Sequence, residues 1–309
     1  MLIDTNYIEK KFKVKLSEEI ILYIKKLNLK YKYLSSSEKE KYILDLLNYI
    51  SDKNIIPSGP KRKNVWESGW EQNYDEFRNK INLNSLIPYY FRKKDQILRL
   101  DEKLIKVFDP LFEYKFMTII HKVMAQYFLA DVKNIYEFGA GSCHNTLGLA
   151  MNLKNKNFYV TDWVRPTIKI CSLIEKNKER LNVGTNTFKS YLFNYFDPDN
   201  NFNLAENSAI FTFASLEQLG DNYQKILKFF LNSNCKFIIN MEPFTELHNT
   251  NNLVGSIGHA YSVKRNYLNG YYNSLKKLEK DEKIKIVRKI KLLGSKYHDS
   301  RNFIVWKKV

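Results

Sequence analysis

The strongest constraint on this chain is an alternation of short apolar segments and helical patterns that starts at Asn134. The predicted strands are Ile135–Phe138, Phe158–Thr161, Thr187–Phe193, Ala209–Phe213, Lys236–Met241, Ile284–Leu293 and Asn302–Trp306. The predicted helices are Cys143–Asn152, Pro166–Leu181, Asn222–Leu231 and a segment near Val263–Lys280. Such alternation predicts right-handed βαβ units on a parallel sheet, and the short polar connection Gly294–Arg301 predicts that the last two strands pair antiparallel.

The first 130 residues have a different texture and predict a helical region. Apolar periodicity predicts helices at Ile20–Leu29, Glu38–Ile50 and Leu104–Ala130. Between them, Val65–Trp70 places two tryptophans beside turn residues, which predicts a loop. We expect a helical cap over residues 1–130 and an α/β domain over residues 131–309. Trp66 and Trp70 are then either a plug that seals the junction or part of a ligand lid. In the lid interpretation, Trp66, Trp70 and Tyr90 are candidate acceptor-binding residues.

The net charge of +17 suggests nucleic-acid binding, but its source argues against that function. The chain has 41 Lys and only 9 Arg, whereas phosphate recognition favours the Arg fork. Residues 134–259 carry 11 basic and 11 acidic groups, while residues 260–309 carry 14 and 4. Codon bias accounts for this lysine excess, and a functional basic face near the C-terminus is the alternative.

The other compositional signals point to a reduced, soluble protein. The three cysteines form no CxxC pair and are odd in number, so neither a disulfide framework nor a metal site is predicted. No apolar run approaches the roughly 18 residues that a membrane helix requires, and the N-terminus lacks a signal-peptide core. We therefore expect a cytoplasmic protein.

The candidate ligand site begins with the glycine turn Gly139-Ala140-Gly141, which follows a predicted strand and precedes a predicted helix. Glycines at these positions let the backbone turn sharply and approach a ligand closely. The third glycine of the dinucleotide fingerprint is replaced by His144, which disfavours NAD. The next strand ends in Asp162, 21 residues after Gly141, where a carboxylate can accept hydrogen bonds from ribose hydroxyls.

With these residues the segment Asn134–Val309 resembles the class I S-adenosylmethionine-dependent methyltransferases. The resemblance implies a Rossmann-like, seven-stranded and mostly parallel sheet with an antiparallel closing hairpin. It also implies that S-adenosylmethionine is the cofactor and S-adenosylhomocysteine the product. The implied cofactor-binding residues are Glu137, Gly139, Ala140, Gly141, His144, Asn145, Asp162, Trp163, Asn194 and Ser215.

A fainter resemblance, to bacterial methyltransferases of surface sugars and other small metabolites, rests on three segments. They are Ser215–Gln218, Glu242–Leu247 and the stretch from His259 to Leu268. This resemblance implies O-methylation of a small polar metabolite, sugar or nucleotide-sugar.

A hydroxyl acceptor needs a base, and ligands of open α/β sheets lie at the carboxyl ends of the strands. His259 is the first candidate, because imidazole titrates near neutrality and Gly255–Gly258 predicts a mobile loop beside it. Glu242 is a rival, or else a carboxylate that orders its loop, and Glu217 is a third candidate. Gln218 and Arg265 are candidate acceptor-binding residues, although Arg265 is equally suited to a helix surface.

Three functions therefore remain open. The first is an O-methyltransferase for a small acceptor, for which nucleic acid and membrane partners are not expected and a homodimer is allowed. The second is an RNA or peptide methyltransferase that uses the basic C-terminal segment. The third is a protein that binds S-adenosylmethionine without chemistry.

Overall fold

The computed structural model describes residues 1–92 and 97–309. Its N-terminal region contains five helices and three short strands: α1 (Thr5–Phe12), α2 (Glu18–Leu27), β1 (Tyr31–Tyr33), α3 (Ser36–Ser51), α4 (Lys63–Asn79), β2 (Ile97–Leu100), β3 (Lys103–Val107) and α5 (Phe112–Tyr127). Single 3-10 turns occur at Pro60–Arg62, Leu83–Leu86 and Tyr89–Phe91. The three strands form an antiparallel sheet in the order β1-β3-β2.

The remainder contains the strands β4 (Asn134–Phe138), β5 (Asn157–Asp162), β6 (Thr187–Leu192), β7 (Ser208–Phe213), β8 (Cys235–Glu242), β9 (Ile284–Lys291) and β10 (Asn302–Lys308). The helices are α6 (His144–Ala150), α7 (Arg165–Lys176), α8 (Gln224–Asn232), α9 (Leu253–Lys264) and α10 (Tyr271–Lys280), with 3-10 turns at Leu216–Leu219 and Thr245–Leu247. The predicted α/β fold is thereby confirmed as a Rossmann-like sheet.

The seven strands form one sheet in the order β6-β5-β4-β7-β8-β10-β9. Strands β4 to β8 are parallel, while β10 runs antiparallel between β8 and β9. The chain moves outward from β4 through β5 to β6, and then returns to the other side of β4 with β7. A crevice therefore opens at the carboxyl ends of β4 and β7, where ligands of such sheets bind.

The sheet is buried by helices on both faces, as a parallel sheet requires. Every residue of β4 and of β7 is buried. The helix α5 is buried over most of its surface, and Phe112, Phe116 and Ile120 share one apolar core with the sheet and with α1 and α2. The division of the chain at residue 130 stays a prediction.

Three predicted segments differ from the structure. Val65–Trp70 lies within α4 rather than in a loop, because Trp66 and Trp70 are four residues apart on one helix face and stack at 5.6 Å. Leu104–Ala130 is divided into β3 and α5, since residues 103–107 pair antiparallel with both β1 and β2 as the central strand of a small sheet. The segment Val263–Lys280 is broken between α9 and α10 at Asn266 and Gly270, both at positive φ.

The predicted mobile loop Gly255–Gly258 is instead part of α9. Asn252 caps this helix, because its side chain accepts a hydrogen bond from the Gly255 amide at 2.8 Å. A Cβ at Gly255 would lie 1.9 Å from the Asn249 carbonyl oxygen, so this glycine serves close backbone approach. Within the described part of the chain, no helix is long and apolar enough to cross a membrane.

Candidate active site

A cavity of about 320 Å³ lies at the carboxyl ends of β4 and β7. We call one part the turn side, lined by Gly139–Ser142, Asp162, Trp163, Phe193, Tyr195, Phe196 and Ser215. We call the other part the loop side, lined by Tyr90, Glu113, Phe213, Glu217, Gln218, Tyr261, Tyr267, Lys296–His298, Ser300 and Arg301. Trp66, Trp70, His144 and Asn145 also line the cavity.

The glycine turn is packed tightly on both flanks. Gly139 and Gly141 have φ values of 71° and 56°, which L side chains rarely adopt. A Cβ at Gly139 would lie 2.5 Å from Cβ of Ser215, and a Cβ at Gly141 would lie 2.7 Å from the ring of Trp70. The turn thus requires glycine twice, and Trp70 forms a wall directly against it.

Asp162 is fixed at the end of β5, where its carboxylate faces the turn. Its Oδ2 accepts a hydrogen bond from the Gly141 amide at 2.8 Å, and its Oδ1 accepts one from the Val164 amide at 3.3 Å. Burial raises the pKa of this carboxyl to about 6, although these amides favour the charged form. An ionised carboxylate has about four lone-pair sites, so Asp162 retains acceptor capacity for a ligand.

A pair of aromatic rings lies beside Asp162. The rings of Trp163 and Phe196 are 5.6 Å apart and tilted by 35°. Asn194, predicted to contact the same ligand, does not line the cavity, and its Oδ1 accepts a hydrogen bond from the Phe196 amide at 3.0 Å. The Asn194 side chain therefore orders the turn after β6. It is exposed, and it lines a second depression that also touches Trp163 and Phe196.

Glu137 also departs from its predicted place. Its side chain lies beneath α6, where it accepts hydrogen bonds from Asn145 Nδ2 at 3.2 Å and from the Thr146 hydroxyl. It is 1% exposed, and burial raises its pKa to about 8. Glu137 thus anchors the start of α6 and does not line the cavity.

The two other predicted residues of α6 do reach the cavity. His144 is buried, and burial holds its pKa well below the usual range, so the ring is neutral. Its Nδ1 lies 3.4 Å from the Ser142 hydroxyl, while its Nε2 has no hydrogen-bond partner among the described residues. Such an orphaned nitrogen is a point where a ligand can bind. Asn145 is held by His121, whose Nε2 lies 3.1 Å from Asn145 Oδ1.

The segment after β7 is held by Glu242. This carboxylate is fully buried and accepts hydrogen bonds from the backbone amides of Ser215 at 3.1 Å and Glu217 at 3.3 Å. It does not line the cavity. In the structure Glu242 thus holds the backbone of this loop, and its role as a base stays a prediction. The Ser215 hydroxyl donates to the Phe138 carbonyl at 3.0 Å and ties this loop to β4.

Glu217 is the titratable group of this loop that faces the cavity. Burial and the neighbouring charge of Glu242 raise its pKa to about 8, so it is largely protonated at neutral pH. Its Oε1 accepts a hydrogen bond from Gln218 Nε2 at 3.0 Å, and Gln218 Oε1 accepts one from Trp66 Nε1 at 3.1 Å. Trp66 on α4 thereby positions Glu217 through Gln218.

Two predicted residues are not brought to the cavity. His259 lies on α9 but does not line the cavity, because that helix presents Tyr261 there instead. Arg265 donates a hydrogen bond from Nη1 to the Ile56 carbonyl at 2.6 Å and holds the segment before α4. It is buried, so it is neither an acceptor-binding residue of the cavity nor a helix-surface charge.

The loop side contains groups that the sequence patterns did not single out. Arg301 pairs with Glu113 at 2.5 Å, both side chains are buried, and the guanidinium lies 5.2 Å from the centroid of the Phe91 ring. His298 lies 5.2 Å from Tyr261 and 5.0 Å from Tyr267 between ring centroids. Arg301 and His298 belong to the connection Gly294–Arg301, whose polar composition predicted only a short link between two antiparallel strands.

Comparisons with known proteins give similarity in structure only. No model of a known family matches the chain, and no curated protein matches its sequence. The 16S rRNA methylase ArmA is 14% identical with a TM-score of 0.44, over 78% of this chain and 98% of its own. The N-methyltransferase NodS from Bradyrhizobium japonicum WM9, in complex with S-adenosyl-L-homocysteine, is 12% identical with a TM-score of 0.46, over 77% and 98%.

A third solved structure is the O-methyltransferase NcsB1 from neocarzinostatin biosynthesis, in complex with S-adenosylmethionine and 2-hydroxy-5-methyl naphthoic acid. It is 14% identical with a TM-score of 0.42, over 65% of this chain and 59% of its own. These three solved structures are methyltransferases, and the likeness of this chain to them is one of fold.

Proposed function

We propose that this chain transfers a methyl group from S-adenosylmethionine to a hydroxyl of a small polar metabolite, sugar or nucleotide-sugar. The observation that carries the proposal is that residues of the turn side and residues of the loop side line one and the same cavity. A donor held on the turn side lies next to an acceptor held on the loop side. Alignment of two reactants in one enclosed site is the main contribution that such a reaction needs from a protein.

The residues of the turn side fit the proposed cofactor. Asp162 can accept further hydrogen bonds from ribose hydroxyls, and the cavity-lining rings of Trp163 and Phe196 offer an aromatic surface against which the planar adenine packs. In its Nδ1–H tautomer, His144 has an acceptor at Nε2 for the ammonium of the methionine moiety, and no described residue occupies that nitrogen. When bound, the cofactor supplies a methyl group that its positively charged sulfur already activates.

The loop side favours a compact acceptor with hydroxyl groups. A cavity of about 320 Å³ is at the small end of ligand sites, and α4 covers it with Trp66 and Trp70. Protonated Glu217 donates a hydrogen bond to the acceptor. The rings of Tyr261 and Tyr267 pack against the apolar face of the acceptor. A long polymer would have to displace α4 to reach the same position.

Calorimetry and radiolabelled methyl transfer test this proposal. We expect S-adenosylmethionine to bind, and we expect label to pass from it to nucleotide-sugars or small polyols in a panel that also contains RNA and a mixed peptide pool. Absence of cofactor binding would refute the proposal. Tight binding without transfer to any member would favour the non-catalytic alternative.

Salt separates the small-molecule acceptor from a polymer. Turnover of a small acceptor should change little between 50 and 200 mM salt, whereas polymer binding through the basic residues 260–309 should weaken by orders of magnitude (about 10³-fold for six phosphate contacts). Label that appears in RNA and is lost with salt would replace the proposed function by the polymer alternative.

A further inference from the structure

A chain of hydrogen-bonding side chains leads from the loop side of the cavity into the interior. His298 lines the cavity, and its Nδ1 lies 3.5 Å from the Ser262 hydroxyl on α9. The same hydroxyl lies 2.9 Å from Nε2 of His248, and Nδ1 of His248 lies 3.4 Å from Oδ2 of Asp299. We call these four residues the relay.

The relay contains a serine, a histidine and an aspartate in the order of a hydrolase triad, but it has another use. The Ser262 side chain is completely buried, and its hydroxyl lies between two imidazoles. A nucleophilic serine must reach its substrate, so Ser262 cannot serve as one. The group of the relay that meets the cavity is His298.

With Asp299 ionised and both imidazoles neutral, the donor inventory sets the direction of each proton in the relay. An ionised Asp299 can only accept, so Nδ1 of His248 carries a proton and Nε2 of His248 is an acceptor. The Ser262 hydroxyl must then donate to His248, which leaves its oxygen to accept from Nδ1–H of His298. The remaining nitrogen of His298, Nε2, is then unprotonated, and His298 is the relay residue that lines the cavity.

We propose that His298 Nε2 accepts the proton of the acceptor hydroxyl. Ser262, His248 and Asp299 are the positioning residues that keep this nitrogen unprotonated. The proposal rests on the proposed methyltransferase function and assigns its base. As the hydroxyl oxygen forms its new bond to the methyl carbon, the C–S bond breaks toward sulfur and the hydroxyl proton passes to Nε2. Transfer of Nδ1–H to Ser262, and of the serine proton to His248, moves the positive charge next to Asp299.

The charges around the relay agree with this direction of transfer. Burial, together with the nearby charges of Arg99 and Arg301, holds the pKa of His298 well below its usual range, although the charge of Asp299 opposes that effect. Burial also lowers the pKa of His248, but Asp299 opposes that effect. Burial would raise the pKa of Asp299, yet its hydrogen bond from His248 and the charge of Lys291 hold it well below the usual range. A proton is therefore better placed on His248 than on His298.

Arg99 of β2 fixes the relay in position. Its Nη1 donates to the Val254 carbonyl of α9 at 2.7 Å, and its Nη2 donates to the Tyr297 carbonyl at 2.9 Å. The residue itself is 1% exposed and pairs through its backbone with Gly294. The helix that carries Ser262 and the connection that carries His298 are thus joined by one buried side chain.

Nitrogen-15 NMR of the full-length protein tests the relay without any acceptor. Histidine-labelled protein is expected to show His298 and His248 neutral at pH 7, each with its proton on Nδ1. Asp299→Asn is expected to reverse the direction of the hydrogen bonds along the relay. An asparagine amide that donates to Nδ1 of His248 forces the ring proton of His248 onto Nε2. Ser262 then donates to His298, whose proton moves to Nε2. Assignment comes from His298→Asn and His248→Asn spectra.

Ser262→Ala is a second, independent variant. Without the Ser262 hydroxyl, Nδ1–H of His298 loses its acceptor, so the Nε2–H tautomer of His298 should become populated while the protein stays folded. Ser256→Ala on the same helix is the matched control, because its hydroxyl donates to the Thr250 carbonyl outside the relay. A wild-type His298 with its proton on Nε2, or a His298 signal unchanged in both relay variants, would overturn the proposal.

Methyl transfer supplies the second readout, with the hydroxyl acceptor identified in the panel. His298→Asn should lower kcat by about 10²–10⁴-fold with the Kd for S-adenosylmethionine unchanged, and Asp299→Asn should lower kcat in the same direction. An unchanged kcat in His298→Asn would reject the base while leaving the proposed function intact. Failure of the wild type to bind the cofactor would reject the function while the NMR result still judges the relay.

Discussion

The two sides of the cavity are assembled in different ways. The turn side comes chiefly from Gly139–Trp163, a short stretch in which one strand, one turn and the next strand meet. The loop side brings together Tyr90, Glu113, Glu217 and Arg301, a set that spans more than 200 positions from its first residue to its last. A local motif therefore builds the proposed cofactor contacts, and the tertiary fold builds the proposed acceptor contacts. The two sides should consequently respond to mutation independently.

The largest expected effect is on the loop side. Arg301→Met removes one partner of the buried pair with Glu113 and leaves an uncompensated carboxylate, which should lower the free energy of unfolding by about 3–5 kcal/mol. Denaturant unfolding measures this loss. Lys225→Met, which breaks the exposed pair with Asp197, is the control and should cost less than about 1 kcal/mol. Equal losses in both variants would contradict the buried pair's importance.

The next effect is on the turn side and concerns binding. Asp162→Asn removes the charge that holds the Gly141 amide and would receive ribose hydroxyls, so the Kd for S-adenosylmethionine should rise about 10–100-fold. Calorimetry measures the change, with the exposed Asp197→Asn as control. An unchanged Kd in Asp162→Asn would show that the cofactor is not held at this carboxylate. A comparable rise in folded Arg301→Met would show that the two sides are coupled.

A smaller effect is a pH dependence of stability that originates at Glu217. Its pKa is about 8 in the folded protein and near 4.3 when unfolded, so the folded state holds a proton that the unfolded state has released. The stabilisation is present below about pH 4 and is lost as the pH rises through 8. Glu217→Gln should therefore lose about 2–4 °C less in Tm than the wild type between pH 5 and 8.5.

The matched control for that measurement is Glu40→Gln on the exposed face of α3. Its pH profile should follow that of the wild type. If Glu217→Gln also follows the wild type, the carboxyl is ionised in the folded protein and cannot donate a hydrogen bond to an acceptor at neutral pH.

The smallest expected effect links α4 to the loop side. Trp66→Phe keeps the ring but removes the Nε1 donor to Gln218, a hydrogen bond worth about 0.5–1.5 kcal/mol. The KM for the acceptor should rise by about 2–10-fold while the Kd for S-adenosylmethionine is unchanged. A change confined to the Kd would instead assign Trp66 to the turn side.

The sequence predicted the sheet and the glycine turn because both depend on local patterns. Alternation of apolar strands with helices predicts a parallel sheet, and a strand that ends in Gly139–Gly141 predicts where its crevice opens. Asp162 could be found for the same reason, since its spacing from Gly141 places it on the adjacent strand. These features need no information about distant parts of the chain.

The predicted site residues that do not line the cavity are those whose side-chain direction depends on tertiary contacts. Glu137 and Asn194 stand at the expected strand ends, but each is satisfied by its own neighbours, α6 in one case and the Phe196 amide in the other. His259 was preferred because of adjacent glycines, whereas Gly258 is required by the close approach of Arg99, whose Nη1 would lie 2.5 Å from a Cβ there. His298 carried no motif, because the relay joins three segments that are remote in sequence.

The stacking of Trp66 on Trp70, and of Trp70 on the glycine turn, gives the protein a built-in optical reporter. Three of its four tryptophans, Trp66, Trp70 and Trp163, line the cavity. The fourth, Trp306, is fully buried and donates to Asn240 at 2.8 Å in the core, so its emission supplies a constant background. Filling the turn side alters the surroundings of the three cavity indoles together, and intrinsic fluorescence can therefore follow ligand entry in the unmodified chain.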